Sequence, residues 1–261
     1  MKYSEELTEP DRQIFLSMSK LLDAAGLDYQ GGFIDLGDHQ VHYLDYGEGP
    51  PVLMLHGGGA GSAIWFKQIK VLSKTRRVIA PDLQVFGLSS QDAYKAPFLP
   101  YILSYMVRLF DALGLSRVDV VGLSMGAQAA LAMALEHPDR LGKLIVIDSA
   151  GLGRDFPLVF KLANVPLFGR LIVKPNRWGQ DFYFKTMEVV DSDFVEASAY
   201  KQYAYDVTLP DGHGRAMRSS LAVITSFKGQ KSIFTDEELA SITAPTLAIW
   251  GAEDQVFPVE H

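Results

Sequence analysis

Val118-Asp119-Val120-Val121-Gly122-Leu123-Ser124-Met125-Gly126-Ala127-Gln128-Ala129-Ala130 is the stretch on which the fold turns. A run of strand-forming apolar residues leads into Gly-Leu-Ser-Met-Gly, and small residues at helical spacing lead out of it. That order predicts a strand, a tight turn and a helix over about Ser124 to Glu136. A turn this sharp strains the backbone of its serine, and residues two positions to either side must lack bulk, a condition Gly122 and Gly126 meet. Ser124 Oγ then projects from the C-terminal edge of the sheet at a helix N-terminus, where unpaired N–H groups favour developing negative charge. Ser124 is therefore the candidate nucleophile.

Upstream, Ile14, Phe15, Met18, Leu21, Leu22 and Ala25 recur at helical spacing after Pro10, and Gly26 ends the pattern. Short apolar or alternating runs follow as strands at Gly32–Leu36, Val41–Tyr46, Val52–His56 and Val78–Ala80. Ile102, Tyr105, Met106, Leu109, Phe110 and Leu113 mark a helix that Gly114 terminates. Downstream, a strand over Leu144–Ile147 continues the alternation. From Arg154 to about His213 the chain then turns aromatic, with Phe156, Phe160, Phe168, Trp178, Phe182, Tyr183, Phe184, Phe194, Tyr200, Tyr203 and Tyr205 at helical spacing. A helix near Asp236–Ala240 and a strand over Thr246–Trp250 restore the sheet pattern. Two hairpin-like strands followed by alternating strand and helix imply an α/β fold with a mostly parallel, doubly wound sheet. The core is then 1–153 together with 214–261, and 154–213 is an inserted helical cap.

Two further strand ends carry chemistry. After Val52–Leu55 comes His56-Gly57-Gly58-Gly59-Ala60-Gly61, a turn whose main chain can come close enough to donate N–H groups to a tetrahedral intermediate. No Lys-Ser or Lys-Thr pair follows, so it fails as a phosphate loop. After the last strand comes Trp250-Gly251-Ala252-Glu253-Asp254-Gln255-Val256-Phe257-Pro258, which places a carboxylate at the sheet edge that bears Ser124. Asp254 is preferred to Glu253, whose position is expected to be solvated, and Asp148 at the end of the preceding strand is the alternative acid.

Composition sets outer limits. The chain has 261 residues, of which 48% are apolar and 21% charged, and a formal net charge of −7, which excludes disordered, collagen-like and small disulfide-framework classes. An acidic balance without a basic run argues against nucleic acid as partner. Cysteine is absent, so disulfides, thiolate metal sites and a cysteine nucleophile are excluded. The charged first 30 residues lack a signal-peptide core, which points to the cytoplasm. Pro157–Val173, broken by Lys161, Asn164, Pro166, Gly169 and Arg170, is a poor membrane span. Oligomeric state leaves no sequence signal.

Taken together, HGGGAG at 56–61, GLSMG at 122–126, HPDRLGKLIVID at 137–148 and GAEDQVFP at 251–258 resemble the α/β-hydrolase superfamily. Within it they resemble the branch of meta-cleavage-product C–C hydrolases and related carboxylesterases. The likeness runs over 32–261. It implies the α/β-hydrolase fold, Ser124 as nucleophile, Asp254 as the acid that orients a histidine, an oxyanion hole from the N–H groups of Gly58 and Met125, and 154–213 as a lid. No cofactor or metal is implied.

Three departures stand beside the likeness. Chain order in this fold is Ser, acid, His, with the histidine roughly 25 to 30 residues past the acid, whereas the sequence runs only seven positions from Asp254 to His261. His261 is a poor base candidate. So are His56 in the glycine turn, His137 at a helix end, His39 and His42 near the hairpin, and His213 in a polar loop. The expectation is therefore a chain incomplete at its C-terminus, slower on activated esters than an extended form. Second, Gln84-Val85 stand where the family has Pro-Gly, and a positive φ at Val85 would be strained, which predicts a rebuilt loop. Third, Ala199-Tyr200-Lys201 lacks the arginine with which C–C hydrolases hold a substrate carboxylate, and Lys201 is a point charge rather than a bidentate fork. Haloalkane dehalogenases and epoxide hydrolases are disfavoured because they use Asp where Ser124 stands. The reading is a cofactor-independent serine hydrolase acting through an acyl-enzyme on a small to medium apolar carboxylic ester. The alternatives are a C–C hydrolase of vinylogous β-diketone ring-fission products, and a non-catalytic ligand-binding relative or inactive fragment.

Overall fold

The computed structural model describes residues 7–90, 97–162, 165, 169–170, 173–177, 194–210 and 212–261. In chain order its elements are α1 (Glu9–Ala24), β1 (Gly31–Asp35), β2 (Gln40–Tyr46), β3 (Pro51–Leu55), α2 (Phe66–Leu72), β4 (Arg77–Pro81), α3 (Phe98–Ala112), β5 (Val118–Leu123), α4 (Met125–Glu136), β6 (Leu141–Ile147), α5 (Leu158–Leu162), α6 (Ala197–Asp206), α7 (His213–Ile224), β7 (Thr225–Ser226), β8 (Gly229–Gln230), α8 (Asp236–Ala240) and β9 (Thr246–Ile249). The main sheet runs β1-β2-β4-β3-β5-β6-β9. The β1–β2 and β2–β4 pairs are antiparallel and every later pair is parallel, as the strand and helix alternation implies.

From β3 the chain winds out to β4 on one side and then returns to β5 on the other. The loops leaving the C-terminal ends of β3 and β5 therefore diverge over a crevice, the place where open α/β sheets bind ligands. Register does the rest: Leu55 pairs with Gly122, which sets the glycine turn beside the serine elbow.

Strand residues alternate between two apolar layers, as period-2 geometry requires. Leu53, Leu55 and Val120 pack with α3 and α4, while Val52, Met54 and Val121 pack with α1 and α2. The central helix α4 is buried from Met125 through Ala134, and its alanines let it lie close to the sheet. Along α1, Ile14, Phe15, Met18, Leu21 and Leu22 are buried, each contributing about 1.5–3 kcal/mol of apolar burial. Helix α6 rests on α1, with Tyr203 and Val207 completing that layer.

Some expectations shift in detail. Ser124 is the N-cap of α4 rather than its first helical residue. The expected cap boundary at 213/214 falls within the first turn of a continuous helix, α7, so His213 is helical and buried and does not sit in a polar loop. The short α2 escapes sequence reading because only Phe66 and Ile69 of its seven residues are buried, too few for a helical period. Phe168, Trp178, Phe182, Tyr183 and Phe184 of the aromatic cap segment lie outside the described residues. No described helix is long and apolar enough to cross a membrane.

Candidate active site

Ser124 sits at φ 55°, ψ −115°, the strained turn read from its flanking glycines. Its N–H donates to the Ile147 carbonyl at 2.9 Å and its carbonyl accepts from Gln128 N at 3.1 Å and Ala150 N at 3.2 Å, so the surrounding strands and helix impose the conformation. A Cβ on Gly122 would lie 2.5 Å from Ala127 Cα, and one on Gly126 would lie 2.4 Å from the Leu55 carbonyl oxygen. Both clashes are with backbone, so any larger residue would force strand and helix apart.

The glycine turn comes directly against this elbow. A Cβ on Gly57 would stand 3.2 Å from Ser124 Cβ, and one on Gly58 would stand 3.8 Å from Met125 Sδ. Met125 opens α4, where an N–H has no intrahelical acceptor. Gly58, Ser124 and Met125 line one cavity of about 350 Å³, together with Phe156, Phe160, Tyr200 and Tyr203. Met217 of α7 closes on the turn, since a Cβ on Gly59 would meet its methyl at 2.6 Å.

Buried polar groups hold the turn in place. His56 is fully buried, with Nε2 accepting from Leu83 N at 2.8 Å and Nδ1 facing the Gly57 carbonyl at 2.7 Å. Burial pushes its pKa down, and the ring links the turn to the loop after β4. In that loop, Asp82 Oδ1 accepts from Ser62 N at 2.5 Å. Its Oδ2 accepts from Leu88 N at 2.8 Å and meets His42 Nδ1 at 2.8 Å. His42 Nε2 continues to the Tyr29 hydroxyl at 3.1 Å. Burial by itself raises the Asp82 carboxyl. The His42 charge and hydrogen bond, the His56 charge and the Leu88 N–H outweigh it and bring the pKa from 3.8 to about 2. Tyr203 of α6 reaches the same place, its hydroxyl 3.4 Å from Ala63 N.

Val85 adopts φ 72°, the positive φ that strains a β-branched residue. The loop therefore carries strain at this position. The αL cost of about 1–2 kcal/mol is offset because the Val85 side chain is fully buried, worth about 1.5–3 kcal/mol.

Asp254 lies in the loop after β9, where its Oδ1 accepts from Val256 N at 2.6 Å and Phe257 N at 3.0 Å. Val256 and Phe257 line the cavity. Asp148, at φ 43°, accepts from Gly251 N at 2.8 Å and stands beside Asp254. Burial raises its pKa and the neighbouring Asp254 charge adds to the rise. The two candidate acids are thus neighbours, and Asp254 is the one anchored to cavity-lining backbone. His261 packs on Gly153 and lies 6.5 Å from the Phe257 ring, with both ring nitrogens unpartnered. Among the described residues no histidine is hydrogen-bonded to Ser124 Oγ or to Asp254. Lys201 lies outside the cavity wall, which instead includes Lys174, an exposed residue. Sequence reasoning assigned no role to Asp82, although it lies in the same Pro81–Ser89 loop as Gln84-Val85, and set His213 and Tyr203 in the cap segment without placing them at the cavity.

A family model described as alpha/beta hydrolase fold matches residues 50–261. The chain is 29% identical over 237 residues to the 2-hydroxy-6-oxo-6-phenylhexa-2,4-dienoate hydrolase of Comamonas testosteroni, covering 87% of this chain and 79% of that protein. It is 30% identical over 223 residues to the 2-hydroxymuconate semialdehyde hydrolase of Pseudomonas sp. strain CF600, covering 83% and 74%. Among solved structures, naproxen esterase (carboxylesterase NP) from Bacillus subtilis superposes with a TM-score of 0.74 at 19% identity, over 97% of this chain and 85% of that one.

Proposed function

The chain belongs to the alpha/beta hydrolase fold family, and from that premise we propose that it is a serine hydrolase of apolar carboxylic esters. The observation that carries the reading is the elbow. Ser124 stands at φ 55° on the floor of the capped cavity, with Gly58 and Met125 beside it.

In this reading Ser124 Oγ attacks the ester carbonyl carbon and gives its proton to a general base. The carbonyl oxygen becomes an oxyanion that accepts from the Gly58 and Met125 N–H groups, each donor of this kind being worth about 2.7–4 kcal/mol of transition-state stabilisation. The alcohol departs with the proton, and water then cleaves the acyl-enzyme by the same path. Asp254 is the carboxylate that orients the base, and Asp148 stands beside it. No residue is assigned as the base. A roof of Phe156, Phe160 and Tyr200 supports an apolar acyl or alcohol part.

The relatives named as dienoate and semialdehyde hydrolases support a second reading, C–C bond hydrolysis of a ring-fission product. There a cation must hold a carboxylate, and Lys174 replaces Lys201 as the residue to change.

The test is covalent. Incubation of the natural protein with a fluorophosphonate is expected to add one adduct, located on Ser124 by peptide mass and absent in Ser124→Ala. A folded protein that stays unlabelled and leaves p-nitrophenyl butyrate intact refutes the serine mechanism. Turnover of a dienoate ring-fission product that Lys174→Ala abolishes, without ester turnover, favours the second reading.

A further inference from the structure

Three bulky apolar side chains stand in solvent beside the Ser124 cavity. Leu158 and Val159 of α5 are 66% and 41% exposed, and Phe227 at the tip of the β7–β8 hairpin is 65% exposed. The fold brings the two elements together. Helix α5 packs against β7, and the hairpin is tied to the segment that leads into α5, where Gln230 N donates to the Arg154 carbonyl at 2.9 Å. A Cβ on Gly229 would lie 2.0 Å from that same oxygen, so only glycine lets the hairpin lie this close. Val159 belongs to two surfaces at once, since it also lines the cavity with Phe160, Leu221 and Ile224.

Charge around these residues runs against that of the molecule. The chain carries a net −7, yet residues 154–180 hold five basic side chains against one carboxylate, Asp155, and residues 212–231 hold four against none. On and beside the sheet, Arg76, Arg77, Arg108 and Arg140 each meet an aspartate. Among the described residues Arg154, Lys161 and Lys228 are in no ion pair. An exposed apolar patch with a charged rim marks an interaction site. A nucleic acid would use the cations and leave Leu158, Val159 and Phe227 in water. A lipid–water interface uses both: acyl chains take the apolar side chains, and the aliphatic stems of the lysines let their ammonium groups reach anionic headgroups.

We propose that α5 and the β7–β8 tip seat the protein on an anionic lipid surface, with Leu158, Val159 and Phe227 among the acyl chains and Lys161 and Lys228 at the headgroups. The protein lies on the surface and does not cross it. Because Val159 joins the patch to the cavity wall, docking sets the Ser124 cavity beside the lipid phase, where apolar esters partition. That supply of substrate rests on the ester-hydrolase reading, whereas the docking itself does not.

The experiment is cosedimentation of the natural protein with vesicles of phosphatidylcholine, alone and mixed with phosphatidylglycerol, in about 0.1 M and about 0.5 M NaCl. Binding is expected to the mixed vesicles, stronger than to phosphatidylcholine alone, and weaker at the higher salt. Replacing Lys161 and Lys228 together by Gln is expected to lower affinity at the lower salt about 25-fold, roughly fivefold per cation. Leu158→Ser with Phe227→Ser weakens binding at both salt concentrations. Both pairs of changes are at the surface, and circular dichroism checks that each variant is folded. Absence of binding to the mixed vesicles, or binding that either variant pair leaves unchanged, overturns the proposal. So does a dimer in sedimentation velocity that Leu158→Ser with Phe227→Ser dissociates while vesicles go unbound, which assigns the face to a second copy of the chain. Fluorophosphonate labelling of Ser124 keeps the two readings apart. Labelling without vesicle binding removes the docking alone, and vesicle binding in a folded protein that is neither labelled nor active on esters removes the ester-hydrolase reading alone.

Discussion

Replacing Asp82 by Asn tests whether the buried carboxylate under the glycine turn holds that turn in place. Asp82 is fully buried and receives Ser62 N, Leu88 N and His42 Nδ1. An amide offers a single acceptor oxygen. Placed toward Leu88 and His42, it turns its NH₂ on the Ser62 N–H. The two surviving bonds then drop from charge-assisted to neutral strength and one buried donor is left unpaired. Together these changes cost about 3–5 kcal/mol.

The charge itself has a pH signature. The folded-state carboxyl titrates at about 2 against an ordinary value of 3.8, which contributes about 2 kcal/mol of stability at neutral pH. Because the folded pKa is the lower one, that contribution is complete above about pH 5 and disappears as the pH falls through about 2. Urea unfolding followed by tryptophan fluorescence at pH 7, 5 and 3 is expected to show a gap between native and Asp82→Asn proteins that narrows on acidification. A gap under about 1 kcal/mol at pH 7, or one that does not change with pH, refutes the argument.

Two other substitutions probe the same construction. Gly126→Ala places a Cβ 2.4 Å from the Leu55 carbonyl oxygen. It is expected to cost about 3 kcal/mol as an overpacked backbone contact and to abolish fluorophosphonate labelling of Ser124; a variant as stable and as reactive as the native protein contradicts the geometry. Tyr203→Phe removes the hydroxyl that meets Ala63 N. The expected result is a stability loss of about 1 kcal/mol and a fall in ester kcat/KM on the order of fivefold, read by denaturation and by turnover. Unchanged kinetics would show that the cap does not act through this contact.

Much of the fold was legible because its signals are local. Gly122 and Gly126 bracket Ser124 at the only spacing that permits the elbow, and their neighbours carry strand and helix periods, so three consecutive elements followed from thirteen residues. The glycine turn was readable for the same reason. Val85 marks the limit of such reasoning. A positive φ at a β-branched residue looked prohibitive from sequence, because sequence does not show that the side chain is fully buried and so offsets the strain. His213 was misread as a loop residue because a polar run, Asp211-Gly212-His213-Gly214-Arg215, precedes the apolar face of α7 and hides the helix start.

By itself the sequence determined the α/β class, the sheet direction, the serine elbow and the loops that carry Gly58 and Asp254, since each is fixed by turn chemistry or periodicity within a dozen residues. Only the tertiary structure decided that Asp82 joins His42 to Ser62, that Asp148 stands beside Asp254, and that His213 shares a cavity with Ser124. Those relations bring together residues tens of positions apart. They depend on which strands pair and how helices cross the sheet, and no local spacing encodes a distance between side chains that meet only when the core has packed.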